Sequence, residues 1–240
     1  MRFAVHNEHR VEATPGAVGL CPGCSAELTA KCGTKKVWHW AHKGQRHCDH
    51  WWEPETEWHR SWKDRFPKEW QERSARDDRG ELHIADVRTP HGLVVEFQYS
   101  YIKPEEALKR TEFHAPMLWV VSGERRPTDR RQFDELFRYR SAPCSGEPAI
   151  DRFSVYDARL LQEWADLGVI VAFDFGAEDV WLMSGRDWAC ALGRWFKKDD
   201  LVAHIRDGTP IPHVIFEHHH PRTRKVINRT HTIRNSLPKP

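Results

Sequence analysis

The stretch ELHIADVRTPHGLVVEFQYS, Glu81 to Ser100, decides the fold. Two strand-like runs flank the turn signal Pro90-His91-Gly92, which predicts a β-hairpin. Alternation along the first run sends Leu82, Ile84 and Asp86 to one face. In the second run Val94, Glu96 and Gln98 share a face, while Val95 and Phe97 take the other. An acid among apolar strand residues is costly to bury unless it is paired or bound to a cation. Two such acids on adjacent strands, Asp86 and Glu96, ask for a divalent metal, with the carbonyl of Phe97 within reach as a third oxygen ligand.

Upstream, PETEWHRSWKDRFPKEW (Pro54 to Trp70) opens on proline and carries acids where a first helical turn would be. Glu55, His59 and Lys63 recur at i, i+4 and i+8 and so share one face of the predicted helix. A solvated face of salt-linked charges has the same spacing. Downstream, KPEEALKRTEFHA reads as a helix with Pro104 at its start, and MLWVVSG as a buried strand. Helix, hairpin, helix and strand in that order predict an α/β fold with a mixed sheet between helices.

Nearer the start, Cys21 and Cys24 in CPGC are followed by His39 and His42 in HWAH. The spacing C-x2-C-x14-H-x2-H is that of a closed tetrahedral zinc site. Short strands in RFAV, HRVEAT and KKVWHWAH frame the two pairs, giving a zinc-ribbon-like module over residues 1–52. A module so small needs a metal staple to fold. Cys32, His47, Cys48 and His50 stand close enough to compete as ligands, with exchange for Cys32 or Cys48 the foremost alternative.

In 240 residues, 39% hydrophobic and 30% charged, the composition is that of a soluble globular protein. No apolar run approaches the ~20 residues that span a bilayer, and the first residues hold no signal-peptide pattern, so a cytoplasmic location is expected. In a reducing compartment the six cysteines are ligands or thiols rather than disulfides. The twelve tryptophans suit either a core or stacking on unpaired bases.

An acid-bearing helix followed by D-x(n)-E-x-K/Q on a hairpin resembles the PD-(D/E)XK nuclease superfamily. The closer resemblance is to the competence protein CoiA-like family, whose CPxC…HFAH, ESxxH…K, RRADV and EfQxS…Rt stand here as CPGC…HWAH, ETEWHRSWK, HIADV and EFQYS…RT. It runs from about Cys21 to Val121. It implies a restriction-endonuclease-like core in which Glu55, Asp86, Glu96 and Gln98 are catalytic, Gln98 taking the place of the superfamily's lysine. His59, Lys63 and Arg110 match motif positions and would bind substrate. Two positions depart from the family: His83 and Ile84 replace the arginine pair, and His114 falls where an aromatic is usual. Asp86 and Glu96 would hold Mg²⁺ (or Mn²⁺), joined by Glu55 directly or through water, and Lys63 or Arg110 would supply the charge that Gln98 lacks.

The implied organisation is a zinc module (1–52), a nuclease core (53–125), an α/β extension (126–215) and a basic tail (216–240). GERRPTDRRQF reads as a basic loop near phosphate or a solvated connector. FSVYDARLLQEWADLGVIVAFDFGAEDVWLMSG reads as strand, helix, strand, turn, strand, and ALGRWFKKDDLVAHIRDG as a helix. The extension either widens the sheet or presents Arg194, Lys197 and Lys198 to a nucleic-acid backbone. In the tail, His218 to His220 read as an exposed tract rather than as ligands. Two functions are compatible with these residues. One is a metal-dependent DNase in DNA recombination or defence, with nucleic acid as partner, no membrane, and a homo-oligomer or further partner proteins open. The other is a nuclease-fold adaptor that binds nucleic acid without cutting it.

Overall fold

The computed structural model describes residues 1–44, 49–51, 53–77, 79–139 and 150–212 of a mixed α/β chain. The tail with His218 to His220 and the alternative ligands His47 and Cys48 lie outside the described residues. Two compact units divide the chain: Met1–Pro90 with Val94–Phe97, and His91–Leu93 with the residues from Gln98 onward.

The first unit opens with an antiparallel sheet of β1 (Phe3–His6), β2 (His9–Glu12), β3 (Val18–Leu20), β4 (Glu27–Lys31) and β5 (His39–His42), in the order β2-β1-β3-β4-β5. Asn7 and Glu8 join β1 to β2 at φ 47° and 65°, the left-handed pair that a two-residue hairpin turn needs. Gly19 lets β3 approach β1, since a Cβ there would lie 2.9 Å from that of Ala4. The core of this sheet is Met1, Ala4, Ala13, Cys21, Leu28 and Trp40, with Ile84 packed against it. Ile84 belongs to the hairpin strand, so the expected self-contained zinc ribbon is instead one part of a larger unit.

Helix α1 (Glu57–Lys63) is shorter than the sequence predicts. Thr56 is its N-cap, extended at φ −107°, and forms a capping box with His59. Glu55 therefore precedes the helix and does not share a helical face with His59 and Lys63. A single 3-10 turn (Lys68–Trp70) leads into β6 (Gln71–Arg76), then β7 (Leu82–Arg88) and β8 (Val94–Gln98), in the order β8-β7-β6. Pairs Val87↔Val95 and Arg88↔Val94 confirm the hairpin and put Asp86 level with Glu96. Helix α1 packs on it through Trp58 and Trp62, and Phe66 just after the helix joins them; the three rings stand 5.9 to 6.4 Å from that of Phe97.

The second unit contains α2 (Pro104–His114), β9 (Met117–Ser122), α3 (Pro127–Arg138), β10 (Asp151–Ser154), α4 (Arg159–Trp164), β11 (Val171–Asp174), β12 (Asp179–Asp187), β13 (Cys190–Lys197) and α5 (Lys198–Asp207). Its strands run β10-β13-β12-β11-β9, all antiparallel except the parallel pair β9 and β11. The stretch expected as a basic loop or connector is α3 from Pro127 on, because proline suits a first helical turn and Phe133 and Phe137, four apart, face the sheet. The helix expected from Ala191 begins only at Lys198, since Ala191 to Lys197 pair along β12. Arg194 and Lys197 are thus strand residues, and Lys198 turns inward to Asp174, Nζ to Oδ1 2.7 Å.

Candidate functional site

Counting register across three strands puts three acids in one row. Glu72 of β6 stands between the pairs Gln71↔Val87 and Arg73↔Ala85, level with Asp86 of β7, and Asp86 is level with Glu96 of β8. The row is bonded through the backbone: Asp86 N–H donates to Glu96 Oε1 at 3.1 Å, and Phe97 N–H donates to Asp86 Oδ2 at 3.0 Å. Lys63, at the last turn of α1, reaches into the cluster. Its Nζ is 2.9 Å from Asp86 Oδ1, 3.2 Å from Glu72 Oε1 and 3.4 Å from Glu55 Oε1. Arg60, one turn earlier, grips Glu55 with Nε (2.9 Å) and Nη2 (3.1 Å).

Burial by itself would neutralise these groups, and their mutual pairing reverses that. Burial raises the Glu55 carboxyl, but the Lys63 ammonium and the Arg60 guanidinium outweigh it and bring it down to about 2. Glu72, wholly enclosed, is likewise held below the usual carboxylate range, chiefly by Lys63. For Lys63 burial acts to lower the value, yet Asp86, Glu55 and Glu72 together raise it well above that of a free lysine. One ammonium among three carboxylates therefore stays charged throughout the neutral range.

The expected site residues divide as follows. Glu55, Lys63, Asp86 and Glu96 come together in the first unit. His59 is buried in the capping box, its Nδ1 accepting Thr56 N–H at 3.2 Å and its Nε2 3.5 Å from Glu53. Lys63 is buried on carboxylates rather than displayed toward solvent. Gln98 ends β8 and donates through Nε2 to the carbonyl of Ser100 at 3.1 Å. Arg110 lies in the second unit on α2, its guanidinium on Glu106. Glu72 escaped the sequence reading because QERSAR has no apolar alternation to mark it as a strand. Counting back from Asp86 through an antiparallel partner strand would have found it.

A second cluster in the first unit belongs to the N-terminal sheet. Cys21 N–H donates to Ala26 O (2.8 Å) and Ser25 N–H to Cys21 O (2.8 Å), which folds CPGC into a tight turn. Among the described residues the ligand atoms of Cys21, Cys24 and His42 gather within 4.8 Å of one another and can hold a metal ion. Burial pushes the Cys21 thiol up, partly offset by the N–H groups of Cys24 and Gly23. His39 does not join them. It lies three residues from His42 on a strand, which sends the two imidazoles to opposite faces, and its Nδ1 lies 2.9 Å from Val37 O. Cys32 packs against the apolar core instead.

No helix among the described residues is long and apolar enough to cross a membrane. Searches of curated proteins and of solved structures found no match. The family described as competence protein CoiA, N-terminal domain, matches residues 19–50. The chain is thus CoiA-like over the stretch that carries both cysteines of CPGC and both histidines of HWAH.

Proposed function

We propose that this protein is a metal-dependent nuclease that hydrolyses phosphodiester bonds in DNA, in a competence-related role of recombination or processing, on a PD-(D/E)XK-like core. The observation that carries the reading is the row Glu72, Asp86, Glu96 with Lys63 and Glu55 closed around it. The cluster suits Mg²⁺: its donors are hard carboxylate oxygens, it already accommodates a cation in the form of the Lys63 ammonium, and the Asp86 side chain remains 21% exposed to solvent. Asp86 and Glu96 would hold the ion, with Glu55 directly or through water. Bound there, Mg²⁺ supplies a Lewis-acid clamp for the phosphoryl oxygen and a water acidic enough to attack at neutral pH. Asp86 keeps its orientation through the Phe97 N–H, and Glu96 through the Asp86 N–H. Lys63 provides the positive charge that an amide at Gln98 cannot. The test is incubation with labelled single- and double-stranded DNA and RNA under Mg²⁺, Mn²⁺ or EDTA, beside Asp86→Ala. Cleavage that needs metal and Asp86 supports the reading.

The same Lys63 favours a second reading. Because Lys63 and Arg60 already offset part of the charge of Glu55, Glu72 and Asp86, the cluster has cations of its own without any metal, as in an adaptor that binds nucleic acid and does not cut it. Metal-independent binding with no cleavage under any of those conditions is its signature.

The cysteine cluster we read as a structural zinc site, since two thiolates and an imidazole are the donors zinc prefers. Purified protein is expected to carry about one tightly held Zn²⁺ per chain, and Cys24→Ser to lose it together with protection of β3, β4 and β5 from proteolysis. Elemental analysis that finds no zinc in protein never exposed to chelator would sink this assignment.

A further inference from the structure

We infer that Glu72 is a positioning residue of the carboxylate site, holding the Lys63 ammonium against Asp86; this rests on reading that cluster as the hydrolytic centre. Three observations converge on it. Its carboxylate is buried and fully used, Oε1 accepting from Arg2 N–H (2.7 Å) and Lys63 Nζ (3.2 Å), and Oε2 from Phe3 N–H (3.0 Å). Its backbone sits at φ 47°, a left-handed conformation that a side-chain-bearing residue rarely adopts and that persists only where the surroundings fix it. Its place in the register row keeps it level with Asp86, on the far side from Glu96.

Anchoring β1 alone would not need the third contact. The two N–H groups of Arg2 and Phe3 make the carboxylate immobile, and an immobile carboxylate fixes an otherwise flexible four-carbon lysine stem. Gln71, its neighbour, holds the other end of the same helix turn by donating Nε2 to the carbonyls of Lys63 (2.8 Å) and Phe66 (2.9 Å). Gln71 thus sets the Lys63 backbone, and Glu72 sets its ammonium. Without Glu72 the ammonium retains Glu55 and Asp86 but loses the partner that two backbone N–H groups hold, against one for Asp86.

The experiment compares wild type with Glu72→Gln by two readouts. The first is brief acylation of lysines followed by mass spectrometry, with exposed Lys68 as internal standard and the melting temperature as control. Loss of one charge-assisted hydrogen bond is expected to raise Lys63 labelling about tenfold relative to Lys68, with melting lowered by only a few degrees, as for one buried donor left without its acceptor. The second is steady-state cleavage with Mg²⁺, where kcat is expected to fall about tenfold or more while KM for DNA stays within about twofold, because the lost interaction serves the transition state. Unchanged Lys63 labelling in a folded variant overturns the inference, as does a rise in KM with kcat intact. A wild-type protein that does not cleave overturns the nuclease reading alone, and the labelling result still decides for or against Glu72. Should Glu72→Gln fail to fold, Glu72→Gly, unstrained at this φ, takes its place in both arms.

Discussion

Asp86→Asn and Glu96→Gln are each expected to remove Mg²⁺-dependent cleavage while leaving the fold in place. A carboxylate that ligates the catalytic ion contributes several kcal/mol of transition-state stabilisation, so each rate should drop on the order of a thousandfold or more. Stability should hold for a structural reason. In Asp86→Asn the side-chain amide oxygen still accepts Phe97 N–H, with the contact of Oδ1 to Lys63 the one bond given up, and in Glu96→Gln the amide oxygen still accepts Asp86 N–H. In both variants Lys63 keeps Glu55 and Glu72 as counter-charges. Binding of DNA without metal should survive, and tighten if anything, as a negative charge that repels phosphate is gone. Thermal melting, a binding assay in EDTA and a cleavage time course separate the three effects. Equal residual cleavage in wild type and both variants under every metal would end the catalytic reading.

Lys63→Met should have the largest effect on stability. Methionine approximates the apolar length of the lysine stem but leaves Glu72 and Asp86 without the ammonium and Glu55 with Arg60 alone. Removing one partner of a buried ion pair costs roughly 3–5 kcal/mol. The loss should depend on pH in a defined direction. In the wild type Lys63 is raised, so its contribution is complete below the ordinary lysine value of 10.5 and is lost only as pH climbs through the higher folded value. Glu55 is depressed, so its contribution is complete above the ordinary 4.5 and fades as pH falls toward about 2. In the variant no ammonium opposes burial, the acids take up protons more readily, and the deficit should shrink on acidification from neutral pH toward that ordinary carboxylate value. Denaturant unfolding at several pH values measures it. Added Mg²⁺ should restore the variant more than the wild type, because a divalent cation fills the same electrostatic role.

The hairpin was legible because two short β-branched and apolar runs flank Pro90-His91-Gly92, which marks the turn, so Asp86 and Glu96 could be set on adjacent strands without coordinates. The cysteine pair was legible as a ligand turn. The histidine pair was only half so: x2 spacing serves a turn or a helix, and β5 is a strand, which removes His39. Glu55 was placed on a helix face because spacing does not reveal that Thr56 caps the helix after it. Lys63 was visible as a charge, but its burial depends on the aromatic packing of α1 against Phe97. Beyond Gly123 the strands of the second unit read well where apolar runs are continuous, as in β11. The stretch from Ala191 to Lys197 misled because pairing with β12, not periodicity, makes it a strand.

The bond from the Arg2 amide to Glu72 spans seventy positions of sequence, and Ile84 closes over a core whose other members all lie before residue 41. These contacts tie the N-terminal sheet to β6 and β7, and forming them costs the closure entropy of a long loop. A fragment ending at residue 52 should therefore remain largely unfolded by circular dichroism even with zinc supplied, whereas one extended through Gln98 should fold. The strand that delivers Asp86 also sends Ile84 against the core of the sheet that bears the cysteines, so one strand serves both clusters.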